Sequence, residues 1–112
     1  MRKDRVASVL ERALASIIAQ DLNDPRLRVV TITRVSVSVD IKNATVYFSS
    51  LSDRKEVLKV LQGAKGYIRT HLAKRVRLKS IPDLVFKIDD SFERGQHIDE
   101  LLKEVSSGDK KE

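Results

Sequence analysis

The hydrophobic positions near the start of the chain repeat with the period of an α-helix. Between residues 6 and 18 the apolar side chains are spaced so that they share one helix face, at Val6, Val9, Leu10, Ala13, Leu14, Ile17 and Ile18. We expect this helix to end before Asn23, because Pro25 disfavours helical geometry at Asp24. The pattern therefore predicts an amphipathic helix followed by a turn.

The pattern then changes to the two-residue alternation of β-strands. Residues 28–39 are rich in β-branched side chains, and the phase of their alternation slips near Thr33. A β-bulge at that position would return the apolar residues to one face, although a strand buried on both sides is an alternative. After a polar turn at 40–43, apolar and polar residues alternate over 44–49, which predicts an antiparallel hairpin.

A long helical pattern follows the hairpin and is interrupted by glycines. Asp53, three residues before Glu56, is typical of a capping box at a helix start. Helical spacing then continues through Val57, Leu58, Leu61, Ala64, Ile68, Leu72 and Val76. Gly63 and Gly66 each cost about 1 kcal/mol relative to alanine inside a helix. We therefore expect a kink or a short helix-turn-helix, not a straight rod.

The remaining elements complete an α+β domain. Apolar residues alternate over 84–88 after Pro82, which predicts a third strand, and Ser91 is placed to cap a last helix. The buried face of that helix would contain Ile98, Leu101, Leu102 and Val105. The order of elements predicts a three-stranded sheet with helices packed on one face. We expect one domain over residues 1–105 and a charged, disordered tail over 106–112.

Charge is distributed unevenly along the chain. The 112 residues include 22 Lys and Arg against 16 Asp and Glu, a formal net charge of +6. Residues 57–82 contain no acidic side chain and carry seven cations, at Lys59, Lys65, Arg69, Lys74, Arg75, Arg77 and Lys79. Cations at the carboxyl end of a helix also complement its dipole, but one or two would suffice for that. The excess of positive charge in this segment predicts a polyanionic partner.

The glycine pair has two interpretations. Gly63-x-x-Gly66 fits the loop by which KH domains let a phosphodiester backbone approach two helix ends. The same letters are compatible with a tolerated helix kink, and two glycines three apart also arise by chance. Its position between two helical patterns, at the head of the basic segment, favours the RNA-binding interpretation.

Residues that could support catalysis or hold a metal ion are sparse. There is no cysteine, and His71 and His97 are the only histidines and stand too far apart for the short ligand spacing of a zinc site. No Walker loop, dinucleotide fingerprint or Ser/His/Asp ordering is present. We therefore expect no enzyme activity, no metal, no cofactor and no small-molecule substrate. Charged residues also interrupt every apolar run, so neither a secretory signal nor a membrane span is expected.

Three alternatives remain open from the residues alone. Arg26, after the turn at Asp24 and Pro25, could contact a phosphate as well as follow a helix end. The basic amphipathic segment could lie on anionic lipid, although it lacks Trp and Phe. A magnesium-dependent nuclease would need carboxylates such as Asp89 and Asp90, or the pair at 99–100.

Several ordered fragments together resemble the ribosome-binding factor A family. The resemblance covers about residues 1–105 and is more specific than any single motif. Its fragments are helix one, Asp24-Pro25-Arg26, Ala44-Thr45-Val46-Tyr47-Phe48, Gly66-Tyr67-Ile68-Arg69, Leu72-Ala73-Lys74-Arg75-Val76-Arg77-Leu78, Ile81-Pro82-Asp83-Leu84 and Asp89-Asp90-Ser91.

This resemblance implies a type II KH-like fold in which a kinked helix, with an Ala-x-Gly sequence, replaces the phosphate-clamping loop. Ala64, Lys65 and Gly66 match that kink, which argues against a direct phosphate clamp at Gly63. The resemblance further implies a cytoplasmic, monomeric, non-catalytic factor that binds the free 30S subunit and its 16S rRNA. Late maturation, including 5′-end processing of the precursor, and a role in the cold are part of the same expectation. The predicted RNA-binding residues are Lys65, Arg69, Lys74, Arg75, Arg77 and Lys79.

Overall fold

The computed structural model describes residues 2–91, which form an α+β unit. Helix α1 spans Arg2–Ser16 and continues into a π-helical turn at Ile17–Asp21, which a 3-10 turn at Pro25–Leu27 follows. Strands β1 and β2 span Val30–Val37 and Asn43–Ser50. Helices α2 and α3 span Arg54–Gly63 and Lys65–Arg75, and strand β3 spans Asp83–Ile88. The predicted last helix and tail lie outside the described residues.

Helix α1 has the amphipathic character that its sequence predicts. Its buried face consists of Val6, Leu10 and Leu14, and the π-helical turn adds Ile17 and Ile18. The chain leaves this helical stretch at Leu22, which is extended, and Asp24 is also extended because a proline follows it. The predicted end of the helix before Asn23 is confirmed.

The sheet has the strand order β1-β2-β3. Strands β1 and β2 pair antiparallel, and their register shifts between Ile32 and Arg34, so Thr33 is the extra residue of a β-bulge. Both the hairpin and the bulge are confirmed. Strand β3 pairs parallel with β2. A parallel pair requires a crossover connection, which α2 and α3 provide.

Helices α1, α2 and α3 pack on one face of this sheet. The inward side chains of the strands are buried together with the apolar faces of α1, α2 and α3, and they are Val35, Val37, Ala44, Val46, Phe48, Leu84 and Phe86. Among residues 3–91, every buried side chain is nonpolar, including that of Pro82. The opposite face of the sheet is left uncovered by residues 2–91 and carries mainly polar side chains.

The break between α2 and α3 lies at Ala64, whose φ of −94° and ψ of 5° depart from helical values. Val57 and Leu61 on one side of the break and Ile68 and Leu72 on the other all remain buried. The kink therefore lets both helices keep their apolar faces on the same core. The prediction of an interrupted helix is confirmed.

Candidate nucleic-acid interface

The basic segment occupies α3 and the connection from α3 to β3. Lys65 begins α3, Lys74 and Arg75 form its last turn, and Arg77 and Lys79 lie in the connection that leads to β3. The cations of that last turn stand near the partial negative charge at the helix carboxyl end, which stabilises them where they are. The six predicted residues nevertheless have different local environments.

Arg69 points toward the α3–β3 connection and not into open solvent. Its guanidinium donates one hydrogen bond to the Ile81 carbonyl at 2.7 Å and another to the Pro82 carbonyl at 3.2 Å. The fork of donors on a guanidinium suits two successive carbonyls, which a single ammonium would not match. Arg69 therefore anchors the end of the connection that carries Arg77 and Lys79, and a direct RNA contact by Arg69 stays a prediction.

Arg75 belongs to a stripe that docks α3 on the π-helical turn. Its guanidinium lies 2.7 Å from the Asp21 carboxylate and donates a second bond to the Ser16 hydroxyl at 2.9 Å. His71, one turn earlier, places Nδ1 3.4 Å from the same carboxylate, and Tyr67 donates to the Asp21 carbonyl at 3.2 Å. Arg75 therefore has an internal partner, and its role in RNA binding also stays a prediction.

The other four cations have no hydrogen bond or ion pair to any residue in the 2–91 range. Lys74, Arg77 and Lys79 are exposed, while Lys65 is half-buried. Lys65 and Lys74 are nine residues apart on α3, so at about 100° per residue they point in opposite directions. The six predicted residues therefore do not form one continuous row. The unpaired charge concentrates at the carboxyl end of α3, on Lys74, Arg77 and Lys79.

The kink leaves backbone accessible at the amino end of α3, beside Lys65 and away from the cations at the carboxyl end. A Cβ placed on Gly63 or Gly66 would meet no atom within 4 Å beyond its chain neighbours and the backbone of its own helix, and neither glycine has a positive φ. The fold alone could therefore accept alanine at both positions. The open space permits a ligand to approach the backbone at the start of α3, which is the use that a KH-type motif makes of small residues.

Arg26 lies between two carboxylates. Its guanidinium is 2.8 Å from Asp24 and 2.7 Å from Glu56 in the first turn of α2. Hydrogen bonds from Arg26 lower the pKa of the Asp24 carboxyl below its ordinary value. Arg26 thus joins the 3-10 turn to α2, which agrees with the turn interpretation of its motif.

Only one of the two side-chain contacts of the predicted capping box forms at the start of α2. The Asp53 carboxylate accepts from the backbone N–H groups of Lys55 at 3.0 Å and Glu56 at 3.3 Å. The Glu56 side chain pairs with Arg26 instead of returning to Asp53. An ion pair from a distant turn has replaced the local contact that the sequence pattern predicts.

The carboxylates considered for a metal ion have other partners. Asp89 accepts hydrogen bonds from the Thr33 hydroxyl and, at 2.9 Å, from the Ser91 N–H. Bonds from Ser91 and Thr33 lower the pKa of Asp89 from 3.8 to about 2. Residues 2–91 contain no group of three or more side chains suited to a metal ion. His97 and the carboxylates at 99–100 lie beyond those residues.

Two features were absent from the sequence-based predictions. Asp21 is the docking point for three side chains of α3, and the regular four-residue spacing of Tyr67, His71 and Arg75 was the available signal. The Arg34 guanidinium lies over the ring of Tyr47, 4.2 Å from its centroid, on the face of the sheet that residues 2–91 leave uncovered. Only the strand register brings that pair together. In the part of the chain that the structure describes, no helix is long and apolar enough to cross a membrane.

Comparison with known proteins identifies the family. A family model described as ribosome-binding factor A matches residues 2–102. The ribosome-binding factor A of Natranaerobius thermophilus is 38% identical over 112 residues, which cover 97% of this chain and 86% of that protein. The corresponding protein of Legionella pneumophila strain Lens is 42% identical and is covered to 89%, with 96% of this chain aligned.

Comparison of the fold agrees with this match. The crystal structure of ribosome-binding factor A from Thermus thermophilus superposes with a TM-score of 0.73 at 35% identity, covering 77% of this chain and 93% of that one. A homology model of the Thermus thermophilus factor, fitted into the cryo-EM map of its complex with the 30S subunit, gives a TM-score of 0.66 at 34% identity, covering 75% and 91%. The fold is KH-like, as the resemblance implied. The chain belongs to the ribosome-binding factor A family.

Proposed function

We propose that this protein is a non-catalytic assembly factor that binds the free 30S subunit by contacting its 16S rRNA. The observation that carries the proposal is the group of unpaired, exposed cations Lys74, Arg77 and Lys79 at the carboxyl end of α3, within a segment that contains no acidic residue. Membership of a ribosome-binding family supports a ribosomal partner. The proposed location is the cytoplasm, as a monomer.

The proposed binding mechanism is electrostatic positioning. Lysine and arginine at phosphates release bound counterions, which supplies affinity without reading the base sequence. Selectivity then comes from the shape of the RNA and from how closely its backbone approaches Gly66 and the start of α3. Lys65, Arg69 and Arg75 also stay proposed RNA-binding residues, with Lys65 beside the kink and apart from the group at the carboxyl end of α3. Arg69 and Arg75 act mainly by fixing the connection and α3 in place.

A factor that carries no catalytic group acts through the difference between its affinities for two conformations of its RNA partner. If the protein binds an immature conformation of the rRNA more tightly than the mature one, it shifts the population toward the conformation from which assembly continues. Late maturation of the subunit, including 5′-end processing of precursor 16S rRNA, would follow from this shift. Misfolded RNA persists longer at low temperature, so the same activity would matter most in the cold.

The experiment is a binding titration against purified 30S subunits at several salt concentrations. Replacement of Lys74, Arg77 and Lys79 by Gln should weaken binding and lower the slope of log K against log salt by about two to three, since each phosphate contact contributes about 0.7 to 0.9. A matched control replaces Arg5, Arg12 and Lys55, which are also exposed, and removes the same net charge. Equal effects of the two triple variants would contradict the proposed face.

The two other functional classes give distinct results in simple assays. Lipid binding predicts sedimentation with vesicles of anionic lipid that added RNA does not reverse. A nuclease predicts magnesium-dependent cleavage of precursor rRNA by the purified protein. We expect neither result, and the carboxylate of Asp89 already accepts hydrogen bonds from Thr33 and Ser91.

A further inference from the structure

The face of the sheet that residues 2–91 leave uncovered carries a row of three side chains that the proposed function does not use. Tyr47 on the central strand pairs in register with Arg34 on β1 and with Lys87 on β3. The guanidinium of Arg34 lies over the Tyr47 ring, 4.2 Å from its centroid. Arg34 and Lys87 are exposed and Tyr47 is half-buried. Adjacent strands are about 4.8 Å apart, so the backbone positions of Arg34 and Lys87 lie about 10 Å from each other, on either side of Tyr47.

The surroundings of this row are polar. The next rung toward the hairpin turn carries Ser36, Thr45 and Val85, and Val85 is 40% exposed. The rung on the other side carries Thr31 and Ser49. This face offers little apolar surface, so it does not suit the apolar side of an amphipathic helix from this chain or from a partner. It does offer hydroxyl groups, two cations and a guanidinium that lies over an aromatic ring.

We propose that the row Arg34–Tyr47–Lys87 is a second RNA-binding site, which takes an unpaired nucleotide of single-stranded RNA. A nucleobase would stack on the exposed side of the Arg34 guanidinium, which lies over the Tyr47 ring. Lys87 would contact the phosphate of the same nucleotide. The inference rests on the proposed function and adds a contact on the face of the sheet opposite the helices.

The charges around the row determine how the RNA would be oriented on the site. Asp89 follows β3 and interacts electrostatically with Arg34, and Asp83 lies at the far end of β3. Both carboxylates repel phosphate, and Lys87 lies between them along β3. The RNA backbone must therefore pass at Lys87. The Asp89 carboxylate accepts hydrogen bonds from Thr33 and Ser91 and still has acceptor positions left. It can therefore also accept from the exocyclic amino group of a base, which favours turning the base edge toward Asp89.

Tyrosine fluorescence tests the stack directly. The chain has two tyrosines and no tryptophan, so Tyr67→Phe leaves Tyr47 as the only emitter. The probe is an unstructured single-stranded RNA hexamer, titrated into this variant of the full chain. We expect saturable quenching of Tyr47 at the same RNA concentrations that raise the anisotropy of labelled hexamer. Binding without a change in Tyr47 emission, or no binding of the hexamer at low salt, would overturn the inference.

Two single variants separate stacking from charge. Arg34→Lys keeps the charge and removes the planar group, so we expect hexamer affinity to fall about fivefold or more with an unchanged salt slope. Lys87→Gln should lower that slope by about 0.7. Arg12→Gln, on the helix side, is the control and should change neither quantity. If Arg34→Lys and Lys87→Gln both behave like the control, the second site is refuted.

The same variants distinguish failure of the second-site proposal from failure of the proposed function. On 30S subunits, loss of binding by the Lys74, Arg77 and Lys79 variant together with full binding by Arg34→Lys and Lys87→Gln would refute only the sheet site. Absence of 30S binding by the unmodified protein would refute the proposed function itself.

Discussion

Replacing Arg69 by methionine separates an anchoring role from a direct RNA contact. Methionine keeps much of the aliphatic length and removes the donors that reach the Ile81 and Pro82 carbonyls. Both bonds come from a charged donor in a partly buried place, where a hydrogen bond contributes roughly 1 to 2 kcal/mol after allowing for solvent access. We therefore expect the free energy of unfolding to fall by about 2 kcal/mol.

The assay is urea unfolding followed by circular dichroism, together with a thermal scan. For a domain of this size, about 2 kcal/mol corresponds to a decrease in Tm of roughly 10 °C. Lys74→Met is the matched control, because Lys74 is exposed and has no partner among residues 2–91, and its effect should stay within about 0.5 kcal/mol. Arg69→Lys should remain destabilised, since an ammonium cannot reproduce the fork of donors.

A specific combination of results would refute this reasoning. If Arg69→Met leaves the free energy of unfolding within about 0.5 kcal/mol of the unmodified protein and still weakens binding to 30S subunits, then Arg69 contacts RNA directly. The α3–β3 connection would in that case be held without it.

The remaining predictions concern the kink, the bulge and the docking of α3. Gly66→Ala should stabilise the fold by about 1 kcal/mol in urea unfolding, because alanine is the better helix former and its Cβ meets no atom within 4 Å beyond its chain neighbours and the backbone of its own helix; it should also weaken 30S binding, and unchanged binding would show that RNA does not approach this backbone. Thr33→Val should raise the pKa of Asp89 from about 2 toward its ordinary value, measured by carbon-13 NMR of the carboxyl group. The pKa of Asp89 is lower in the folded state than in the unfolded state, so these hydrogen bonds stabilise the fold above about pH 4. This contribution is lost as the pH falls toward the folded-state pKa. A pKa of Asp89 that Thr33→Val does not change would contradict the assignment of these hydrogen bonds. Asp21→Asn should destabilise the protein by about 1 kcal/mol, as the Asp21 side chain is only 19% exposed and pairs with Arg75; an unchanged Tm would show that this pairing does not hold α3.

The elements that the sequence predicts well are those defined by local periodicity. The apolar spacing of α1, the phase slip at Thr33 and the glycine-interrupted helix each depend on residues close together in the chain. The structure reproduces all three, with the break at Ala64. These features follow from backbone geometry and from burying one face, which neighbouring residues suffice to specify.

The candidate site was harder to predict because it depends on tertiary contacts. The sequence identifies Arg69 and Arg75 as members of a basic segment, but it does not show that backbone carbonyls and Asp21 engage them. In the same way, the pairing of Arg34 with Tyr47 requires the register across the bulge. A count of positive charge therefore overestimates the charge that is free to meet RNA, since internal partners are invisible in composition.

Site-specific photocrosslinking on the free 30S subunit tests the central claim most directly. A photoreactive amino acid at Ser80, which is exposed beside Lys79, reports on the proposed face, and one at Ala15, exposed on α1, is the control. We predict crosslinks from position 80 to 16S rRNA and few or none from position 15. Crosslinks to rRNA from position 15 and none from position 80 would contradict the account, because the RNA would then lie against α1 instead of the carboxyl end of α3.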